Sequence, residues 1–201
     1  MSIPFIYERF DTPTLIFRDQ LFCCEITSKV ATSIGYFGGV LKGFSRDSLD
    51  EDIHHLMMLD LSSLGMDLSQ SKLSITPFLY GFIYDSCQMK YQIGNKEIPK
   101  VTHFQPIQKY ANFPYSDYPS TFPVSQITLS KTINLTEELI EDIFLDRKEM
   151  PELTNQILVV VPPNPKYGVS LWGDEGDAEH VQVVFLVDLI NNTITVENQC
   201  S

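Results

Sequence analysis

The chain has 201 residues, a length that suits a single globular domain spanning 1–201. Hydrophobic residues make up 43% and charged residues 20%, which excludes a globally disordered chain and permits a sizeable core. The formal net charge of -12 disfavours binding to nucleic acid or to an anionic membrane, because both require basic surfaces.

The first part of the chain predicts strands. Apolar segments at 14–17 and 21–28 are separated by the polar residues 18–20. The Gly-rich segment 34–44 follows; it carries no phosphate-loop motif, so its glycines indicate a bulge or a close backbone approach.

Residues 1–9 lack the basic start and apolar run of a signal peptide, and no segment has the ~18 apolar residues of a membrane span. We therefore expect a cytoplasmic protein.

Residues 48–59 predict the first of two principal helices. Ser48 is the expected N-cap, and the acidic residues 50–52 suit the first helical turn. Apolar residues recur at helical spacing and would form the buried stripe. They are Leu49, Ile53, Leu56 and Met57.

The histidines of this segment bear on a metal site. On a helix, Asp50 and Glu51 lie one turn before His54 and His55, a spacing that places two metal ligands on one face. Zinc needs a third ligand, which His103 or His180 could supply from elsewhere in the chain, but nothing in the local sequence requires it. We expect solvated or capped histidines and no cofactor.

Three further strands are predicted between residues 73 and 102. Segments 73–84 and 88–93 meet at a turn at Asp85-Ser86, and Gly94-Asn95 then turns the chain into 97–102. The pattern is typical of an antiparallel meander.

Segment 103–126 combines four prolines with six aromatic residues. Proline at this density disfavours a regular helix or a central strand, which predicts the first of two long irregular loops. Two roles stay open for it. It is either a functional loop or an ordered segment whose aromatic side chains fill the side of the core.

Residues 134–147 predict the second principal helix. Asn134 is the expected N-cap, and Glu137 three residues later completes a capping box. The apolar stripe contains Ile140, Ile143 and Phe144, whereas the other face is strongly acidic.

The last part of the chain predicts buried strands. Segments 157–161 and 181–190 are nearly continuous apolar runs, which are typical of strands in the middle of a sheet. Asn191-Asn192 turns the second run into 193–197, and the Pro- and Gly-rich segment 162–180 is the second long loop. The predicted fold class is α+β, with a largely antiparallel sheet, two principal helices and two long loops.

Acidity is concentrated after Lys166, where the chain has no Lys or Arg. Four carboxylates fall between Trp172 and His180, a run that suits a basic partner, a bound cation or simple solvation. Together with the acidic helix, this run gives the candidate partner-binding residues. They are Trp172, Asp174, Glu175, Asp177, Glu179, Glu137, Glu138 and Glu141.

The four cysteines predict free thiols. Cys23 and Cys24 are adjacent, Cys87 and Cys200 are isolated, and no CxxC spacing occurs. No motif for nucleophilic catalysis is present either, so we do not expect an enzyme.

In overall character this acidic chain without catalytic motifs resembles the immunity proteins of bacterial toxin systems, a resemblance that rests on no motif. It implies a cytoplasmic binding protein that occludes a basic protein partner such as a toxin domain. Two alternatives stay open: a metal-dependent hydrolase that uses the acidic loop 174–180, and a scaffold subunit without catalytic activity.

Overall fold

The computed structural model describes residues 3–28, 33–41, 53–66, 68, 71, 73–94, 98–109, 121–145, 150, 153–163, 171 and 181–200. In this part of the chain, eleven strands form one sheet and a single α-helix packs on it. The strands are Thr14–Phe17 (β1), Gln20–Thr27 (β2), Ser33–Phe37 (β3), His54–Asp60 (β4), Ile75–Tyr80 (β5), Tyr84–Ile93 (β6), Pro99–Lys109 (β7), Ser125–Asn134 (β8), Gln156–Val161 (β9), Val181–Asp188 (β10) and Thr193–Cys200 (β11), and the helix is Glu137–Phe144 (α1).

The sheet is antiparallel at every strand pair, in the order β5-β4-β3-β8-β2-β1-β9-β10-β11-β6-β7. The predicted antiparallel pairing is therefore present, but the α+β class with two principal helices is wrong. The described chain is mostly β, with one helix and a strongly curled, nearly closed sheet. None of its helices is long and apolar enough to span a membrane.

The predicted helix 48–59 is replaced by strand β4. His54–Asp60 pairs with β3 on one side and β5 on the other, so almost the whole run is buried. A bulge between His55 and Met57 lets neighbouring residues of the strand both enter the core. The resulting spacing of apolar residues in the sequence resembles that of a helix. A short apolar run does not distinguish a buried strand from a buried helix. The expected cap Ser48 and the acidic residues after it lie outside the described residues.

The curled sheet has an inner core and an outer layer. Side chains from most of the strands fill the inside, where the rings of Phe78 and Phe185 meet edge to face at 5.0 Å. On the outside, α1 and residues 3–7 cover β1, β9 and β10. The apolar runs of β9 and β10 are therefore buried on both faces, as their sequence predicted.

Edge strand β5 approaches β6, which lies next to the opposite edge strand β7 in the sheet order. Tyr91 of β6 is fully buried, and its hydroxyl donates to the Pro77 carbonyl of β5 at 2.9 Å. The same oxygen accepts the Leu79 amide at 3.1 Å. One side chain thus satisfies two backbone groups of edge strand β5, where no further strand pairs with it in the described chain.

Segment 103–126 is more regular than predicted. Strand β7 continues through Pro106 to Lys109, because an edge strand tolerates a residue without an N–H. Phe122 is buried beside Phe37 and Phe82, with ring centroids 5.7 and 5.3 Å away, which supports the core-filling role for this one aromatic residue. Residues 110–120 lie outside the described part.

The predicted turn at Asp85-Ser86 is also wrong. Both residues belong to the long strand β6, and the chain turns just before it, between Tyr80 and Tyr84. The bulge or close backbone approach predicted for the glycines of segment 34–44 is present at Gly35. Strand β3 is bulged there, and a β-carbon on residue 35 would overlap the carbonyl oxygen of Met58 in β4.

Candidate functional site

Helix α1 is the described part of the candidate partner-binding surface. Its N-cap is Thr136, whose hydroxyl accepts the Leu139 amide at 3.2 Å, and not the predicted Asn134, which ends strand β8. The helix ends at Phe144, earlier than expected, and the following Leu145 has a backbone φ of 61°. An eight-residue helix is too short to be stable alone, so its packing on the sheet must hold it.

The two faces of α1 are arranged as the sequence predicted. Ile140, Ile143 and Phe144 are buried against the outer side of the sheet. The opposite face is exposed to solvent. It carries Glu137, Glu138, Glu141 and Asp142.

This outward face is a compact source of negative charge. Within the described residues, no ion pair joins Glu138, Glu141 or Asp142 to another side chain. Carboxylates in the first turn of a helix are also favoured by the helix dipole, which stabilises Glu137 and Glu138 where they are. The arrangement can attract a cationic surface without a large rearrangement of the helix.

The other candidate residues fall in a segment that the structure does not describe. Trp172, Asp174, Glu175, Asp177 and Glu179 all lie outside the described residues, as does His180. The described chain resumes at Val181, the first residue of β10. Whether these residues join the carboxylates of α1 therefore remains a prediction.

The expectation of solvated or capped histidines on a helix is wrong, because His54 and His55 lie on strand β4 and both are buried. The four-residue spacing from Asp50 and Glu51 is not tested, because those two residues lie outside the described residues. The Nδ1 atom of His55 lies 3.0 Å from the Gly38 carbonyl oxygen. Burial lowers the pKa of His55, although hydrogen bonds to the backbone partly oppose that shift. In the described chain no group of three or more His, Cys, Asp or Glu side chains is placed to hold a metal.

The cysteines are free, as predicted. Burial raises the pKa of Cys87 to about 12, and burial together with the neighbouring Cys23 raises that of Cys24 to about 12. Burial also raises the pKa of the half-buried Cys23. A thiol with a raised pKa holds little thiolate at neutral pH, so none of these three has the activation of a nucleophile.

A pair of glutamines beside α1 was not predicted from the sequence. Gln182 of β10 and Gln199 of β11 lie directly opposite each other in the strand register, and both are buried. Their carboxamides hydrogen-bond the backbone of residues 4–6. The signal in the sequence was Gln182 itself, a polar residue inside an otherwise apolar strand.

Comparison with known proteins adds no family to these observations. No protein-family model, no curated protein and no solved structure matches this chain.

Proposed function

We propose that this chain is a cytoplasmic, non-catalytic protein that binds a basic protein partner and acts by covering part of that partner's surface. The contact is made by the carboxylates of α1, joined by the acidic segment 172–180 with Trp172 as an apolar anchor. A basic toxin domain is a partner of the required kind, in keeping with the resemblance to immunity proteins.

The observation that carries the proposal is the outward face of α1. The helix is anchored by three buried apolar residues, so its exposed carboxylates are held in place rather than carried on a loose loop. A fixed cluster of like charges on a protein of net charge -12 raises the rate of encounter with a cationic surface. Salt weakens this effect over a Debye length of ~8 Å at physiological ionic strength.

The first experiment identifies the partner and tests the surface together. Wild-type protein and the Glu138→Lys/Glu141→Lys variant serve as baits in extracts of the native cell, and captured proteins are quantified by mass spectrometry. A matched control bait, Glu25→Lys/Asp85→Lys, changes net charge equally at exposed positions of β2 and β6. The proposal expects a basic protein that is captured by wild type and control and is depleted on the α1 variant.

The second experiment measures association with the captured partner at low and high salt. Charge reversal on α1 should slow association at least tenfold at low salt, and high salt should remove most of that difference. Charge reversal at Asp174, Glu175 and Asp177 tests the undescribed segment in the same way, while Trp172→Ala should mainly speed dissociation. Equal association rates for the α1 variant, the control and wild type would show that these carboxylates only keep the protein in solution.

A further inference from the structure

The buried imidazole of His55 is bonded to the end of strand β3. Its Nδ1 atom lies 3.0 Å from the carbonyl oxygen of Gly38, and only 8% of the side chain is exposed. A carbonyl oxygen can only accept, so Nδ1 carries the proton in this bond and the neutral ring keeps its lone pair on Nε2. The Nε2 atom is buried and has no hydrogen-bond partner among the described residues. A proton added at Nε2 would therefore place a positive charge inside the protein, which is costly.

The Gly38-Gly39 turn that His55 holds connects β3 with two other parts of the chain. The Gly38 amide donates to the Leu56 carbonyl of β4 at 2.7 Å, and the Gly39 amide donates to the Phe122 carbonyl at 2.9 Å. Both glycines have positive φ angles, and a β-carbon on Gly38 would overlap the carbonyl oxygen of Phe122. The turn thus lies directly against the backbone of residue 122. Together, Gly38, Gly39, His55 and Phe122 form the corner of the sheet.

Phe122 covers an aromatic cluster of the inner core. Its side chain is 2% exposed, and its ring centroid lies 5.3 Å from that of Phe82, 5.7 Å from that of Phe37 and 5.8 Å from that of His54. Two residues further along the chain, Val124 is 63% exposed. Phe122 is therefore a buried side chain close to the surface, and its movement would bring aromatic rings into contact with water.

The charges around His55 do not compensate its protonation. On β3, β4, β5 and the described segments 38–41 and 121–124, the titratable groups are Tyr36, His54, Tyr80 and Asp60. Asp60 is at the far end of β4, where its carboxylate accepts hydrogen bonds from the serines that follow it. The ring of Tyr36 lies 5.6 Å from that of His55, and burial raises the pKa of both Tyr36 and Tyr80, so both tyrosines are uncharged below a pH of about 7. Burial lowers the pKa of His55, and only backbone carbonyls oppose that shift.

We propose that His55 is a pH-sensitive latch, whose neutral form holds the corner closed and whose protonation opens the corner while the rest of the sheet stays folded. Opening is favoured because it returns the imidazolium to water. The corner lies at the surface, since Gly39 is partly exposed and residues 123–124 are exposed, and such regions open at lower free energy than a core. The open form exposes Phe122 and the rings beneath it. This inference does not depend on the carboxylates of α1.

Native-state hydrogen exchange at a series of pH values tests the latch. The amide of Gly39 reports the corner and that of Val159 in β9 reports the inner core, both as protection factors, which remove the intrinsic pH dependence of exchange. Protection of Gly39 should fall by about tenfold for each pH unit below about 6.5, until the ring titrates in the folded protein. Exchange of Gly39 should also be nearly independent of urea, whereas that of Val159 should show the strong dependence of global unfolding.

Two variants assign the effect to one histidine. His55→Asn places an amide donor near the position of Nδ1 and cannot titrate, so the protection of Gly39 should be constant between pH values of about 7 and about 5. His103→Asn is the matched control, because His103 is exposed on β7 and should leave the pH dependence as it is in wild type. A pH dependence that persists in His55→Asn would assign the opening to His54 or another group and overturn the proposal.

Measurements on the wild type cover the case in which His55→Asn does not fold. An NMR titration of the His55 ring should have a midpoint below about 6.5, and binding of the hydrophobic dye ANS should rise with the same midpoint as the aromatic cluster becomes exposed. A ring that titrates without a change in Gly39 protection or in dye binding would show that protonation leaves the corner closed. Exchange of Gly39 with the same urea dependence as Val159 would show that the corner opens only with the whole fold. Either result would overturn the latch.

Discussion

Replacement of Tyr91 by Phe tests how the curled sheet is held where β6 approaches edge strand β5. The ring of Tyr91 is fully buried and stays in place in the variant, so packing is conserved and only the hydroxyl is lost. That hydroxyl bridges the Pro77 carbonyl and the Leu79 amide of β5. Burial raises the pKa of Tyr91 far above its ordinary value, so the hydroxyl keeps its proton and remains a donor in the native protein.

The expected loss follows from the two backbone groups that remain. An unsatisfied buried donor or acceptor costs about 1–3 kcal/mol, and Tyr91→Phe leaves one of each. Removing the buried hydroxyl itself returns part of that cost, which gives an expected destabilisation of about 2–4 kcal/mol. Against a typical stability of about 5–15 kcal/mol, this is a large effect for one oxygen atom.

Equilibrium unfolding in urea, followed by circular dichroism, measures the effect. The matched control is Tyr7→Phe, because Tyr7 is 41% exposed and should change stability by less than about 0.5 kcal/mol. The Leu79 amide should also lose protection from hydrogen exchange in Tyr91→Phe. A variant within about 0.5 kcal/mol of wild type, with the Leu79 amide still protected, would refute the idea that this hydroxyl holds β5.

Three further predictions test separate parts of the fold. Phe144→Ala should destabilise by about 3–5 kcal/mol because this side chain is completely buried, whereas Glu138→Lys should cost under about 0.5 kcal/mol; denaturant melts in the reverse order would contradict the assignment of the α1 faces. Gly35→Ala should cost about 1–3 kcal/mol or more from overpacking, and Gly94→Ala, where the nearest atom is 3.9 Å from the added carbon, should cost less in the same melts. Folding lowers the pKa of His55, so the folded protein favours the neutral imidazole. The stability that the neutral imidazole contributes is therefore fully present above the ordinary pKa of about 6.5, and it is lost as the pH falls towards the lower pKa of the folded state. His55→Gln should flatten that part of a pH series of melts, and an unchanged slope would assign the effect to other groups.

The sequence predicted elements whose signals are local. Helix α1 combines an apolar stripe with acidic residues in its first turn, and both features lie within a few residues of each other. Strands β9 and β10 were recognised because burial on both faces requires a continuous apolar run. In these cases the pattern within one segment is sufficient to define the element.

Elements determined by their neighbours were not predictable in the same way. Strand β4 carries apolar residues at spacings that also fit a helix, and only its pairing with β3 and β5 decides between the two. Proline disfavours a central strand, but Pro106 is acceptable because β7 lies at an edge of the sheet, a position that the local sequence does not specify. The role of Tyr91 depends on β5, which is brought near only by the curvature of the whole sheet.

The same distinction between local and long-range signals applies to the candidate site. The exposed carboxylates of α1 were predictable because helical spacing places them opposite the apolar stripe. The glutamine pair was missed because its significance depends on two facts from different parts of the chain. Gln182 and Gln199 must be opposite each other in the register, and residues 3–7 must lie over them.

The outer layer leads to one last prediction, on how residues 3–7, called the strap, and α1 depend on each other. Helix α1 is only eight residues long, and its buried residues share an apolar cluster with Ile6. The strap also hydrogen-bonds the Ile143 carbonyl near the C-terminal end of the helix. Ile6→Ala should therefore cost about 2–4 kcal/mol, and the loss should be concentrated in the outer layer.

Hydrogen exchange distinguishes this local effect from a general one. In Ile6→Ala, the amides of Ile143 and Phe144 should exchange markedly faster, because the helix has lost part of the surface that holds it. Val159 of β9 faces the inner core, which contains neither the strap nor α1, so its amide should remain as well protected as the variant's global stability allows. Equal loss of protection at all three amides would show that the two layers unfold as one cooperative unit. The strap could not then open independently of the sheet, and α1 would be held by the fold as a whole.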